Sequence, residues 1–178
     1  SLGGMEPFQI SDLVKIFRKH WTGALGIHTH NNLGKAIANS LAAIDLGVTW
    51  VDCTITGMGR GPGNSQTEYL LIEMQNIKKR EINIMPLLQL IKKYFNPMQQ
   101  KYKWGPNPYY YLAGKYGIHP TYIQEMLRTQ FDESEMIIAI NQLKRSGGQR
   151  YNVDLVRSEF QKPMKLKRGK WSPINKIR

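Results

Sequence analysis

The reading of the fold turns on "GIHTHNNLGKAIANS", residues 26–40, taken together with "DCTITGMGRGPGN", residues 52–64. In an extended strand residues i and i+2 point to the same side, so a strand over residues 24–30 presents His28 and His30 together. After Asn31 and Asn32, "LGKAIANSLAAIDLG" predicts a helix with Ala36, Ile37, Leu41 and Ile44 facing inward and Gly47 as its stop. "VTWVDCTI" from Val48 is a second strand, and Gly57 to Gly63 form a loop. Ser65 and Glu68 then have the spacing of a capping box that opens another helix, running to about Ile77.

Outward from this centre the same alternation continues. Ser11 is a good N-cap for a helix that places Leu13, Val14, Ile16 and Phe17 on one face, and Pro86 sits where a further helix, up to Phe95, starts. Strands alternating with helices indicate parallel βα units, hence an α/β fold. After "KYKWGPNPYYYLAGKYG", the segments "HPTYIQEMLRTQ" and "ESEMIIAINQLKR" read as two amphipathic helices. The expected division is residues 1–95, a helical region over 96–145, and a basic linker or tail over 146–178.

Composition narrows the possible functions. At 178 residues and 41% hydrophobic the chain can bury a sizeable core. It has no apolar run of the ~20 residues that a membrane span needs, and no basic-then-apolar secretory leader. Its one cysteine, Cys53, excludes an internal disulfide and a cysteine cluster for metal, which points to the cytoplasm. The net charge is +12, yet from Asn141 onward eleven Lys and Arg face only Asp154 and Glu159. The body is therefore nearly balanced. A basic block without a zinc finger, RNA-recognition signature or aromatic-interleaved strand reads as a solvated arm and not as a nucleic-acid reader.

The chemistry concentrates at the ends of the two strands. There, two imidazoles on one side make half of a divalent-metal site, and the amide oxygen of Asn64 is a hard donor suited to a third position. Asn64 also suits a helix N-cap beside Ser65. Arg60, inside the glycine loop, suits either a bidentate clamp on a substrate carboxylate or phosphate, or a surface ion pair. His119 before Pro120 suits a cap, and His20 near a helix end complements its dipole.

The stretch "HTHNNLGKAIANSLAAIDLGVTWVDCTITGMGRGPGNSQTE", residues 28–68, resembles the seventh and eighth βα units of the metal-dependent TIM-barrel lyases and synthases. This is the superfamily of HMG-CoA lyase and isopropylmalate synthase, and the closest resemblance within it is to 4-hydroxy-2-oxovalerate aldolase-like proteins. It extends over residues 1–95, with "SLGGMEP" matching the loop after the sixth strand and placing Ser1 at the substrate. The resemblance implies the C-terminal portion of a TIM (β/α)8 barrel, units six to eight, followed by a small helical domain. It implies that His28 and His30 are metal ligands, that Asn64 lies on or beside the metal, and that the ion is Mn²⁺ or Mg²⁺. The implied reaction cleaves or forms a carbon–carbon bond next to a 2-oxo acid, with a pyruvate enolate and an aldehyde as the two halves.

HMG-CoA lyases carry a catalytic cysteine in the glycine loop, whereas "GMGRGPGN" has none, which favours the aldolase branch and leaves Cys53 as a small buried core residue. In the resemblance the base and the remaining ligands belong to the first barrel strand. A full barrel needs ~250 residues, so this chain is expected to be a C-terminal part lacking the N-terminal half of the site. Tyr109, Tyr110 and Tyr111 are candidates either for aromatic packing or for a catalytic tyrosine reaching the metal, Tyr110 foremost. The partners implied are the missing half-barrel and an aldehyde dehydrogenase or a second copy of the chain. Two other functions fit the sequence: an acyl-CoA-condensing synthase on the same scaffold, and a non-catalytic basic binding module.

Overall fold

A computed structural model describes residues 3–129, 131–152, 154 and 155. Helix α1 spans Pro7–Arg18 with Glu6 at its N-cap position, five residues ahead of the cap expected at Ser11. Pro7 has the fixed φ that suits a first turn, and Gln9 accepts from the Glu6 amide at 2.8 Å. Ser11 lies inside the helix, where its hydroxyl donates to the Pro7 carbonyl.

Strand β1 (Gly26–His28) pairs in parallel with β2 (Trp50–Asp52), in the register Gly26–Trp50, Ile27–Val51, His28–Asp52. Between them runs α2 (Ala36–Ile44), as a βαβ crossover requires. Asn31 accepts from the Ala36 amide at 3.1 Å, and Gly47, at φ +79°, turns the chain back toward β2. The buried face of α2 is Ala36, Asn39, Ser40 and Ala43, while the expected Ile37, Leu41 and Ile44 are only half-buried. The reason is hydrogen bonding: Asn39 donates to the Met5 carbonyl, and the Ser40 hydroxyl lies within 3.2 Å of those of Thr29 and Ser65. The three hydroxyls satisfy one another and so tolerate burial, whereas Asn39 pairs through its amide nitrogen and leaves its Oδ1 without a partner among the described residues.

That network also removes the expected capping box. Helix α3 (Thr67–Lys78) is capped at Gln66, Ser65 is fully buried under α2, and Glu68 accepts from the Thr56 amide at 3.0 Å. The helix expected to stop at Phe95 instead continues: α4 (Met85–Leu90), a π turn over Ile91–Phe95, and α5 (Asn96–Tyr102). The widened turn lies just before Pro97, whose ring nitrogen has no proton to return to the preceding turn.

Three further helices follow among the described residues: α6 (Pro108–Lys115), α7 (Pro120–Arg128) and α8 (Glu133–Ser146). Asn107 caps α6, Asp132 and Glu135 close a capping box on α8, and Gly147, at φ +77°, ends it. Their cluster contains Tyr110, Ile118, Tyr122, Ile123, Met126, Met136, Ile140 and Leu143, all buried. A smaller cluster, Ile10, Val14, Ala43 and Val48, joins α1 and α2 to the sheet. The two regions are stitched together: the Trp104 indole donates to the Thr56 carbonyl at 3.2 Å, the Gly105 amide to that of Gly61 at 2.9 Å, and Glu6 pairs with both Lys35 and Lys115. Among the described residues no helix is long and apolar enough to cross a membrane, and most of the basic segment expected over 146–178 lies outside them.

Candidate active site

The parallel register sets the site. Ile27 and Val51 turn toward the helices, so His28, Trp50 and Asp52 stand exposed on the opposite face. His30, two residues beyond His28, falls on the same side, and the two imidazole centroids lie 4.8 Å apart in an edge-to-face arrangement. Across the register, the Asp52 carboxylate comes within 3.6 Å of His28 Nδ1. Sequence reasoning passed over Asp52, and only the pairing of the strands reveals it.

The loop after β1 is held against the loop after β2. His30 and Asn64 form an isolated antiparallel bridge, the Asn31 amide donates to Gly63, and the Ser65 amide to Thr29. This places Asn64 beside His30, while the Asn64 side-chain amide donates to the Met58 carbonyl at 3.2 Å. Asn64 is not a helix N-cap, since that position belongs to Gln66. Burial, then the neighbouring His28 and, more weakly, Arg60, push the His30 pKa down, against the pull of Asn64. A neutral imidazole keeps a lone pair for a metal or a proton.

The glycine loop is shaped by close contacts. Gly63 has φ +80°, and a Cβ there would lie 2.3 Å from the Gly57 carbonyl oxygen. Thr56 adopts φ +54°, unusual for a β-branched residue, and is fixed from both sides by Glu68 and Trp104. The N-terminal turn closes over the histidines from the other direction, because a Cβ on Gly3 would come within 2.8 Å of His30 Cβ.

The remaining candidates divide. Arg60 is exposed on the glycine loop, in no ion pair among the described residues, and it lines a cavity of about 830 Å³ on the side of the loop facing the helical region. That cavity is not lined by the two histidines. Tyr110 is buried against Gly61, and burial pushes its hydroxyl up to about 12. Tyr109 packs into the helical cluster, and Tyr111 is exposed. His119 caps α7, His20 is exposed after α1, and Cys53, expected in the core, is half-buried and takes a hydrogen bond from Thr67. Ser1 lies outside the described residues. Among the described residues no three His, Cys, Asp or Glu side chains group as a metal cage. The donors that do converge are two imidazoles and one amide, a set that suits part of the shell of a divalent ion.

Comparison with known proteins places this geometry among relatives. Residues 1–92 match the family model described as HMGL-like. A 4-hydroxy-2-oxovalerate aldolase from Carboxydothermus hydrogenoformans is 29% identical over 93% of the chain and 50% of its own length. One from Geobacillus genomosp. 3 is 48% identical over 40% of the chain and 21% of its own length. The chain spans about half the length of the first of these relatives. Among solved structures, the N-terminal domain of a proposed aldolase from Bacteroides vulgatus matches with a TM-score of 0.66 and 36% identity, covering 71% of this chain and 42% of that one.

Proposed function

Since the chain belongs to the HMGL-like family, we propose that it contributes metal- and substrate-binding residues to a divalent-metal-dependent aldolase of the 4-hydroxy-2-oxovalerate type, making or breaking a carbon–carbon bond next to a 2-oxo acid. The observation that carries this is the pair of imidazoles 4.8 Å apart on one face of a parallel sheet, with Asn64 alongside. Residues 1–95 are read as units six to eight of a (β/α)8 barrel, and 96–145 as an attached helical domain. In a closed barrel the face carrying His28, Trp50 and Asp52 is the interior, and the loops after the strands form the site end.

On this reading His28, His30 and Asn64 hold the ion, manganese or magnesium, which supplies Lewis acidity to the carboxylate and ketone oxygens of a 2-oxo acid. The chain's own residues do the positioning. The downward push on His30 keeps its ring neutral and ready to donate, and Asp52 beside His28 orients that ring. The glycine loop brings backbone close to the substrate, and Arg60 offers a guanidinium to an anionic group. Tyr110 packs against Gly61, and with burial pushing its hydroxyl up to about 12 it stays protonated well above physiological pH, so it is offered as a hydrogen-bond donor to substrate and not as a base. Ser1 is assigned to substrate contact by resemblance alone. Further donors come from polypeptide packed on the open sheet face, and an aldehyde dehydrogenase or a second copy of the chain is the companion proposed.

The test is paramagnetic. With Mn²⁺ and pyruvate present, the wild-type chain is expected to broaden the pyruvate methyl proton signal beyond the effect of free Mn²⁺, and His28→Ala to abolish the excess. Equal broadening by wild type and free ion would remove the proposal.

A further inference from the structure

We infer that the cavity between the glycine loop and the helical region is the co-substrate pocket, and that it takes an aldehyde bearing a phosphate or carboxylate several bonds from its carbonyl. The inference rests on the aldolase reading above and goes further, naming the chemical class of the second substrate. At about 830 Å³ the cavity is far larger than a two-carbon aldehyde needs, and falls in the range that holds ligands of many atoms.

Its walls carry Arg60, Lys103 and Arg128 and not one carboxylate. Arg60 and Lys103 enter no ion pair among the described residues, while Arg128 reaches Glu125 through Nε and Nη2, at 3.2 and 2.7 Å. Unbalanced cations around one cavity raise the local concentration of anions and bind oxyanions through charge-assisted hydrogen bonds. The walls are also fixed in advance. Gln99 accepts from the Lys103 amide and its side chain donates to the Trp104 carbonyl, Trp104 holds Thr56, and Gly105 holds Gly61. Lys103 itself sits at φ +59°, where glycine is the ordinary helix stop, so its charge is placed there against a backbone preference. Gly59 links the cavity to the metal-binding side of the loop, because it lines the cavity and a Cβ there would lie 2.6 Å from Asn64 Nδ2.

The experiment is calorimetric titration of the full chain with three aldehydes: glyceraldehyde 3-phosphate, succinic semialdehyde and neutral glyceraldehyde. One or both anionic aldehydes should bind at least about tenfold tighter than glyceraldehyde, the effect of one charge-assisted hydrogen bond, and the stronger of the two identifies the oxyanion. Lys103→Gln and Arg60→Gln should each cut that preference several-fold. Lys78→Gln, at the far end of α3, should leave it unchanged, which separates the pocket from the general positive charge. Equal affinity for all three aldehydes, or a preference that survives both cavity substitutions, overturns the inference. Mn²⁺ affinity of the same sample separates this from the failure of the aldolase reading. Manganese binding without anion preference sinks the pocket alone, whereas anion preference without manganese binding leaves an anion site with no reaction to serve and overturns its co-substrate role.

Discussion

The helical region and the α/β region bury their apolar side chains in opposite ways. Tyr122, Ile123, Met126, Ile140 and Leu143 are fully enclosed by α6, α7 and α8, so that region supplies its own core. Among the described residues of the α/β region the buried cluster is just Ile10, Val14, Ala43 and Val48, while Phe8, Ile16, Phe17 and Trp50 stand exposed, Trp50 at 70%. Parallel sheets are ordinarily covered on both faces, and here only one face of β1 and β2 is. The uncovered face carries the two histidines. The larger enclosed core and the paired histidines thus lie in different regions, joined through Trp104, Gly105 and Glu6.

The contrast can be broken most forcefully by truncating side chains. Ile140→Ala should cost about 2–5 kcal/mol of unfolding free energy in urea, as cavity formation in a closed core does. Ile16→Ala should stay within about 0.5 kcal/mol. Similar costs for the two would mean that α1 is covered in solution. Next in size, Gly63→Ala must relieve a 2.3 Å contact at positive φ, and should lose about 1–3 kcal/mol, with a local rise in amide exchange over residues 57–64 and little change in α8.

Smaller effects sharpen the joint between the halves. The Glu6 carboxyl is held below the ordinary carboxylate range, first by its hydrogen bond to Lys35 and then by Lys115. Its contribution is therefore present above that range and is lost as pH falls through the lowered value. Wild type should show increased amide exchange in α6 on acidification across this window, and Glu6→Gln should show it already at neutral pH. Tyr110, with its hydroxyl pushed up to about 12 by burial, should be the last tyrosine to ionise in an ultraviolet titration. The unfolded phenol ionises near about 10, so the stability linked to Tyr110 is intact below that pH and declines as pH rises toward 12. Tyr110→Phe should remove the late step.

What could be read from the sequence follows the range of the forces involved. His28 and His30 share a side because strand periodicity is local, and Gly47 and Gly147 stop helices because left-handed φ is a property of one residue. The capping box of Asp132 and Glu135 at the start of α8 is equally local, but went unread. Ser11 misled because serine caps well but also sits inside a helix when its hydroxyl returns to the carbonyl four residues back, and Ser65 because it accepts burial when a hydroxyl from α2 answers it. Asp52 at His28 and Tyr110 at Gly61 depend on strand register and on the docking of a distant helix. No local pattern encodes either.

The central claim, that two neighbouring imidazoles face one cation together, is tested most directly by electron spin-echo spectroscopy of Mn²⁺ added to the chain. The account predicts nitrogen modulation from two imidazoles in wild type, reduced to one in His28→Ala and in His30→Ala. A spectrum of fully hydrated manganese without nitrogen coupling, unchanged by either substitution, would contradict it.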